Sequence, residues 1–162
     1  KKHSSTVLDI AWRPNNVVLA TASSDGTCCV VSAFVKGVDT KESVASGTPF
    51  GSKLPFGTIC KEIPVGAWVR SVKWYLFALS QCIIADHTLM FFVLLRRSPS
   101  GNRLAFVSHD STFHLLDAPT TDHKLYTVPY PHLPIVDLLF VNENSVIGVG
   151  HDYNPLLFQA CS

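Results

Sequence analysis

The chain has 162 residues, of which 47% are hydrophobic and 15% charged, and this composition argues against a disordered protein. Thirteen lysines and arginines are matched by twelve aspartates and glutamates, so the charge balance predicts no basic surface for nucleic acid or for an anionic membrane. Five cysteines without paired spacing are typical of a reducing compartment. No signal peptide precedes Thr6, so we do not expect secretion.

The sequence pattern of residues 1–34 predicts one blade-like unit. Its apolar runs alternate with polar residues and predict strands near 6–12, 17–23 and 28–34. Asp25 can accept a hydrogen bond from its own downstream backbone, and Gly26 tolerates a positive φ, so we predict a tight hairpin capped by Asp25. Cys28 and Cys29 are neighbours on a strand, which predicts that one packs inside and the other faces outward.

Residues 35–62 lose this alternation and are rich in glycine, proline and hydroxyl residues, which predicts a long surface loop. The loop contains Phe50 and Phe56 in a frame of prolines and glycines. These two rings are candidate contacts for a protein partner. The alternative is that both fold back onto their own domain.

The same pattern recurs in residues 63–118 and 119–160, which predicts two further units. Their turns are centred on Asp110 and Asp152, and we predict that these aspartates cap hairpins as Asp25 does. The two turns are 42 residues apart, a period typical of a four-stranded propeller blade.

The middle copy is interrupted. In the outer copies, Trp12 lies 13 positions before Asp25 and Phe140 lies 12 positions before Asp152. In the middle copy, Trp74 lies 36 positions before Asp110. Removing residues 75–97 restores a spacing of 13 and joins Trp74 to Ser98. We therefore predict that this insert is foreign to the fold, as a retained intron read in frame or an annotation artefact.

A membrane span over residues 75–95 is the alternative interpretation of the insert. The segment is long enough, but Asp86 near its centre would cost about 2.5–3.5 kcal/mol on insertion. A span would also separate the first strand of a blade from the rest of it. We therefore do not expect a membrane anchor.

No residue pattern predicts catalysis. Ser108, His109 and Asp110 are adjacent, and successive strand residues point to opposite faces, so they cannot align as a hydrolase triad. The cysteines and histidines lack zinc-site spacing, and no glycine-rich phosphate loop is present. We predict no enzyme, no cofactor and no metal.

The chain resembles the WD-repeat propellers and, more narrowly, the p40/p41 propeller subunits of the actin-related protein 2/3 complex. The resemblance covers nearly the whole chain outside the insert and is carried by these segments: 7–25, 34–38, 49–57, 107–112 and 150–152. The loop at 49–57 is its specific element, because generic WD repeats lack it. An aspartate turn alone would identify only the superfamily.

The resemblance implies an all-β propeller of about seven blades, of which this chain would supply about three. It also implies a non-catalytic scaffold that contributes to actin filament nucleation and branching in the cytoplasm and cytoskeleton. Partners would be the other subunits of the complex and the actin filament. The alternative function is that of a different WD-repeat interaction adaptor.

The match to generic WD repeats is incomplete. In generic WD repeats a Trp-Asp pair ends the third strand. The corresponding residues here are Val31-Ser32, Leu116-Asp117 and Phe158-Gln159, so only Asp117 is retained. Of the histidines, only His3 occupies the position of the histidine in the family's Gly-His motif. Apolar packing is therefore expected to hold these blades together.

Overall fold

The computed structural model describes residues 2–14, 17–39, 50, 54–75, 102–118 and 123–160, together with the backbone of 79–80 and 93–94. The described residues are strands and connecting turns without a helix, and they form three main antiparallel sheets. This confirms the all-β prediction and fits a partial WD-repeat propeller.

The first sheet has the strand order β1-β2-β3-β4, with β1 Val7–Trp12, β2 Val18–Ser23, β3 Thr27–Ser32 and β4 Ile59–Pro64. The first three strands lie close to their predicted positions. The fourth strand differs from the prediction, because residues 59–62 had been assigned to the loop and 63–64 to the next unit. β4 is an edge strand in which Ile63 alone is fully buried, so its sequence carries little apolar alternation.

The second sheet has the order β10-β9-β8-β5, with β5 Val69–Trp74, β8 Arg103–Ser108, β9 Thr112–Asp117 and β10 Lys124–Pro129. β10 was predicted to lie in the unit 119–160, so this boundary also differs. Its residues are all exposed, and such a strand gives no apolar pattern by which to assign it to a sheet. β5 pairs with β8 across the insert, with Trp74 opposite Leu104.

The insert lies mostly outside the described residues. Within it, β6 (Leu79–Ser80) and β7 (Val93–Leu94) pair as a separate antiparallel ribbon. Tyr75, predicted to be part of the foreign segment, directly follows β5 and contacts the fold: its amide donates to the carbonyl of Arg103 at 3.0 Å, and its ring packs against Phe140. The first residue of the insert thus belongs to the fold.

The third sheet has the order β11-β12-β13, with β11 Ile135–Asn142, β12 Ser145–Gly150 and β13 Leu156–Gln159. One backbone bond recurs in all three sheets at equivalent positions. The amides of Ala33, Ala118 and Ala160 donate to the carbonyls of Val17, Asn102 and Asn144 at 2.9, 2.9 and 2.8 Å. The three sheets are therefore copies of one unit in the alignment that the sequence predicted.

Two apolar cores lie between consecutive sheets. Leu104 and Phe106 of β8 face the first sheet, where they meet a cluster that includes Ala20 and Val30. Residues Ala105, Val107, Phe113, Ile135, Leu138 and Val146 form the second core, between the second and third sheets. Each fully buried aliphatic or phenyl side chain contributes about 1.5–3 kcal/mol, so these interfaces are the main stabilising feature of the stack.

Cys28 and Cys29 are both fully buried, which corrects the prediction that one would face outward. Cys28 packs in the first core. Cys29 points to the opposite face, where His3 binds the neighbouring side chains of Thr21 and Thr27. Burial raises the pKa of both thiols, so they stay protonated near neutral pH.

Candidate functional site

The Asp25 carboxylate holds the β2–β3 turn and the N-terminal segment together. Its Oδ1 accepts from the Thr27 amide at 3.0 Å and from the Thr27 hydroxyl at 2.6 Å. Its Oδ2 accepts from the Ser4 amide and from His3 Nδ1, each at 2.9 Å. Desolvation opposes ionisation, but these donors outweigh it and hold the pKa of Asp25 well below its ordinary value. Gly26 supplies the positive φ of 80° that the turn requires.

His3 is buried, and both of its ring nitrogens have partners. Nδ1 donates to the Asp25 carboxylate at 2.9 Å, and Nε2 lies 2.7 Å from the Thr21 hydroxyl. A histidine bonded in this way is a structural link between the N-terminal segment and the first sheet. Its ring is not available as a base or a metal ligand.

The Asp110 turn uses a different histidine. Asp110 Oδ1 accepts from the hydroxyls of Ser108 at 2.5 Å and Thr112 at 2.6 Å, and these bonds lower the pKa of Asp110 despite desolvation. Thr112 Oγ1 in turn lies 2.8 Å from His114 Nε2, and His114 Nδ1 lies 3.0 Å from the Thr127 hydroxyl. Burial lowers the pKa of His114, so the ring is neutral and links the turn to β10.

The side chains of Ser108, His109 and Asp110 do not form a Ser-His-Asp chain of hydrogen bonds. Ser108 bonds Asp110 directly, while the His109 ring stacks on Trp68 at 5.9 Å between centroids. The imidazole therefore does not stand between the hydroxyl and the carboxylate, as a triad would need.

Asp152 differs from the other two turn aspartates. Five residues separate β12 from β13, so the turn is wider than the tight hairpin predicted there. The hydrogen bond that Asp152 makes among the described residues is accepted from the Tyr130 hydroxyl at 2.9 Å. Asp152 lacks a following glycine, and Pro155 delays the start of the next strand. It ties the turn to the segment before β11.

Phe50 is a core residue, with 4% of its surface exposed. Its ring lies 5.7 Å from Trp74 in an edge-on contact and 4.8 Å from the His123 ring. The Arg13 guanidinium lies 5.6 Å from the centre of the Phe50 ring. The interpretation of Phe50 as a partner contact is therefore corrected, because this aromatic and cationic pocket between the first two sheets takes up the ring.

Phe56 is 71% exposed at the tip of a braced turn. The Thr58 amide donates to the Pro55 carbonyl at 3.1 Å, and Gly57 takes a positive φ of 79°. Ser32 braces the turn from the first sheet, since its carbonyl accepts from the Gly57 amide at 2.7 Å and its hydroxyl donates to Leu54 at 2.6 Å. Phe56 is thus held on the surface by backbone contacts.

A polar cluster that we call the sheet junction joins the innermost strands of the three sheets; it consists of Asp9, Ser71, Lys73 and Asp137. The Ser71 hydroxyl lies 3.0 Å from Asp9 Oδ2 and 2.8 Å from Asp137 Oδ1. Lys73 Nζ lies 2.9 Å and 3.2 Å from the same two atoms. Desolvation opposes both charges, but the bonds from Ser71 and Lys73 lower the pKa of Asp137, and the two carboxylates raise the pKa of Lys73.

This junction was not predicted from the sequence, although the three aligned strands carry a signal for it. Asp9, Ser71 and Asp137 occupy the same position in the three aligned strands. Equivalent positions on inner strands meet where repeats stack, so polar residues recurring there indicate a shared contact.

Known proteins with a similar sequence align with nearly the whole chain. No protein-family model matches it. The chain is 40% identical over 161 residues to the actin-related protein 2/3 complex subunit 1B of Arabidopsis thaliana, covering 99% of this chain and 36% of that protein. It is 40% identical over 157 residues to subunit 1A-B of Xenopus laevis, and 36% identical over 158 residues to subunit 1 of Schizosaccharomyces pombe. Those matches cover 95% and 96% of this chain and 35% of each relative.

Over the stretch that it shares with them, the chain belongs to the family of actin-related protein 2/3 complex subunit 1. The resemblance seen in the sequence is thereby confirmed. The chain spans about a third of the length of these relatives, 36% in the first case.

Within this subunit 1 family member, the described residues contain no group of three histidine, cysteine, aspartate or glutamate side chains placed to hold a metal ion. In the part of the chain that the structure describes, no helix has the length and apolar character needed to cross a bilayer. The segment 75–95, considered above as a span, lies mostly outside those residues.

Proposed function

We propose that the chain forms blades of a non-catalytic propeller scaffold in an actin-related protein 2/3 type complex, where it contributes to actin filament nucleation and branching. The observation that carries this proposal is the 40% identity to subunit 1 over 99% of the chain. Its partners are then the other subunits and, through the assembled complex, the actin filament. Its location is the cytoplasm and the actin cytoskeleton.

A scaffold function is supported by how the polar side chains are used. The buried histidines His3 and His114 each have partners on both ring nitrogens, and the turn aspartates accept bonds from their own hairpins. A nucleophile or a general base needs a reactive atom that faces substrate. These groups instead stabilise the blades.

Phe56 is the partner contact that we propose. An exposed aromatic ring on a rigid turn loses little conformational entropy on binding, and aromatic anchors contribute much of the energy of an interface. Val38, 78% exposed on the turn after β3, provides a matched control for loss of exposed apolar surface.

Co-purification tests the proposal. The affinity-tagged 162-residue chain is added to a cell extract that contains the complex, and bound proteins are quantified by mass spectrometry. We expect the other subunits to be enriched, to fall severalfold with Phe56→Ala and to be unchanged with Val38→Ala. Absence of those subunits, with the chain folded by circular dichroism, would contradict the scaffold proposal. Unchanged recovery with Phe56→Ala would contradict only the assignment of Phe56.

The foreign origin of the insert 75–97 stays a hypothesis, now with Tyr75 as an exception. Sequencing the mature transcript tests it. We expect the dominant transcript to lack most of the segment, and a dominant transcript that retains it, with equal solubility of both protein forms, would refute the hypothesis.

A further inference from the structure

The turn that carries Phe56 is held to the sheets on both of its flanks. On the carboxyl side, the Ser32 amide donates to the Thr58 carbonyl at 2.8 Å, and the Gly57 amide donates to the Ser32 carbonyl at 2.7 Å. On the amino side, the ring of Phe50 is buried in the core between the first two sheets. A turn with both flanks fixed samples fewer conformations than a turn with one flank free.

Three side chains from two different sheets hold the Phe50 ring in what we call the latch pocket: Arg13, Trp74 and His123. The Arg13 guanidinium, directly after β1, lies 5.6 Å from the centre of the Phe50 ring and 5.9 Å from that of Trp74. Trp74 ends β5, and His123 directly precedes β10. Their rings lie 5.7 and 4.8 Å from the Phe50 ring between centroids. The latch pocket therefore forms only where the first sheet packs on the second.

The latch pocket acts close to the turn along the chain. Three residues separate Phe50 from Leu54, so the Cα atoms of these two residues lie at most about 14 Å apart. Burial of Phe50 thus restrains the segment that leads into the turn. Release of the ring would remove this restraint and leave the flank to the bond that the Ser32 hydroxyl donates to the Leu54 carbonyl at 2.6 Å.

We infer that Phe50 is a positioning residue for the partner contact: its burial in the latch pocket orients Phe56 for binding to another subunit. This inference rests on the proposed function, because it gives Phe50 a role in the same contact. Ordering a side chain at an interface costs binding free energy, and a turn that is already ordered avoids that cost. Since the pocket joins two sheets, binding at Phe56 depends on their packing and, by reciprocity, stabilises it.

Fluorine NMR tests the positioning separately from partner binding. 4-Fluorophenylalanine is incorporated at position 56 of the 162-residue chain, and the transverse relaxation rate of its fluorine reports how rigidly the ring is held. We expect Phe50→Ala to lower this rate about twofold or more, because the flank of the turn is released. Val69→Ala trims the same core at the end of β5 remote from Trp74 and should leave the rate unchanged.

A second variant covers the case in which Phe50→Ala does not fold. Phe50→Leu keeps most of the buried apolar volume but loses the ring contacts, so its relaxation rate should lie between those of Phe50→Ala and the original chain. Circular dichroism checks that each variant is folded at the temperature of the measurement.

The co-purification experiment described above tests the role in binding. Phe50→Ala should lower recovery of the other subunits about three- to tenfold, whereas Val69→Ala should leave recovery unchanged. In the Phe56→Ala background, Phe50→Ala should cause no further loss, because the ring that it positions is absent.

The proposed function and the role of Phe50 fail in different ways. Capture of no subunits by the original, folded chain would refute the proposed function and, with it, the role of Phe50 in binding. With normal capture by the original chain, two results would overturn the positioning role alone. These are an unchanged relaxation rate at position 56 in folded Phe50→Ala or Phe50→Leu, and a loss of recovery that is equal with and without the Phe56 ring.

Discussion

Ser71→Ala and Lys73→Met separate the contributions of the two groups that bridge the sheet junction. Ser71 is almost fully buried and contacts carboxylates from both neighbouring sheets. Removing its hydroxyl deletes a hydrogen bond to a charged group, and such bonds contribute about 1.5–3 kcal/mol. Because Asp137 is half exposed, we expect the lower part of this range, about 1.5 kcal/mol.

Lys73→Met acts through charge. A lysine about one-third exposed gains little from each ion pair, about 0–1 kcal/mol. Its removal also leaves Asp9 and Asp137 facing each other, with oxygens that both lie within 3.2 Å of the former ammonium group. At a separation of about 6 Å in a largely aqueous dielectric, this repulsion adds about 1 kcal/mol. We therefore expect a total loss of about 1–2 kcal/mol at neutral pH.

The pH dependence follows from the depressed pKa of Asp137. Its contribution to stability is present above the ordinary value of 3.8 and is lost as pH falls through the lower folded-state pKa. Without Lys73, the pKa of Asp137 in the folded chain rises. The difference in stability between the original chain and Lys73→Met should therefore be largest at neutral pH and should shrink below about pH 4. Lys36→Met, an exposed lysine outside the junction, is the control.

Urea unfolding monitored by tryptophan fluorescence at several pH values provides the measurement. The double variant should lose less than the sum of the single variants, because both act on the same two carboxylates. Additive losses, or a Lys73→Met effect that does not change with pH, would refute the account of the junction.

Three further changes test individual contacts by the same unfolding assay. Asp25→Ala should destabilise by about 1–2 kcal/mol and make stability less sensitive to acid below pH 4, whereas an unaltered acid profile would contradict the role of Asp25. Phe50→Ala should destabilise by about 3 kcal/mol, as truncation of a buried phenyl does, and a change below about 1 kcal/mol would mean that the loop does not anchor there. Gly150→Ala should destabilise by about 2 kcal/mol or more, because its Cβ would lie 2.6 Å from the Pro134 carbonyl oxygen, and a neutral result would contradict the close approach of these strands.

Repetition made the architecture predictable from sequence. Three aligned strands and three aspartates gave the all-β class and the pairing of β5 with β8 across the insert. The edge strands β4 and β10 could not be assigned in the same way. An edge strand buries few side chains, so its sequence does not record which sheet it joins.

Side-chain roles were less predictable than strands. Phe50 and Phe56 stand in similar proline and glycine surroundings, yet one ring is buried and the other exposed. The difference depends on Arg13 and Trp74, which are distant in sequence and meet only in the folded chain. Asp152 likewise resembles Asp110 in the repeat, but its partner Tyr130 lies outside the hairpin.

Amide hydrogen exchange tests the equivalence of the three sheets most directly. The backbone amides of Ala33, Ala118 and Ala160 make the same bond in each copy, at 2.9, 2.9 and 2.8 Å. We expect all three to be protected by at least about a hundredfold over the unfolded chain, with Ala160 the least protected because it follows an exposed edge strand. If any one of them exchanged at the rate of the unfolded chain, the claim that the protein contains three copies of one blade would be contradicted.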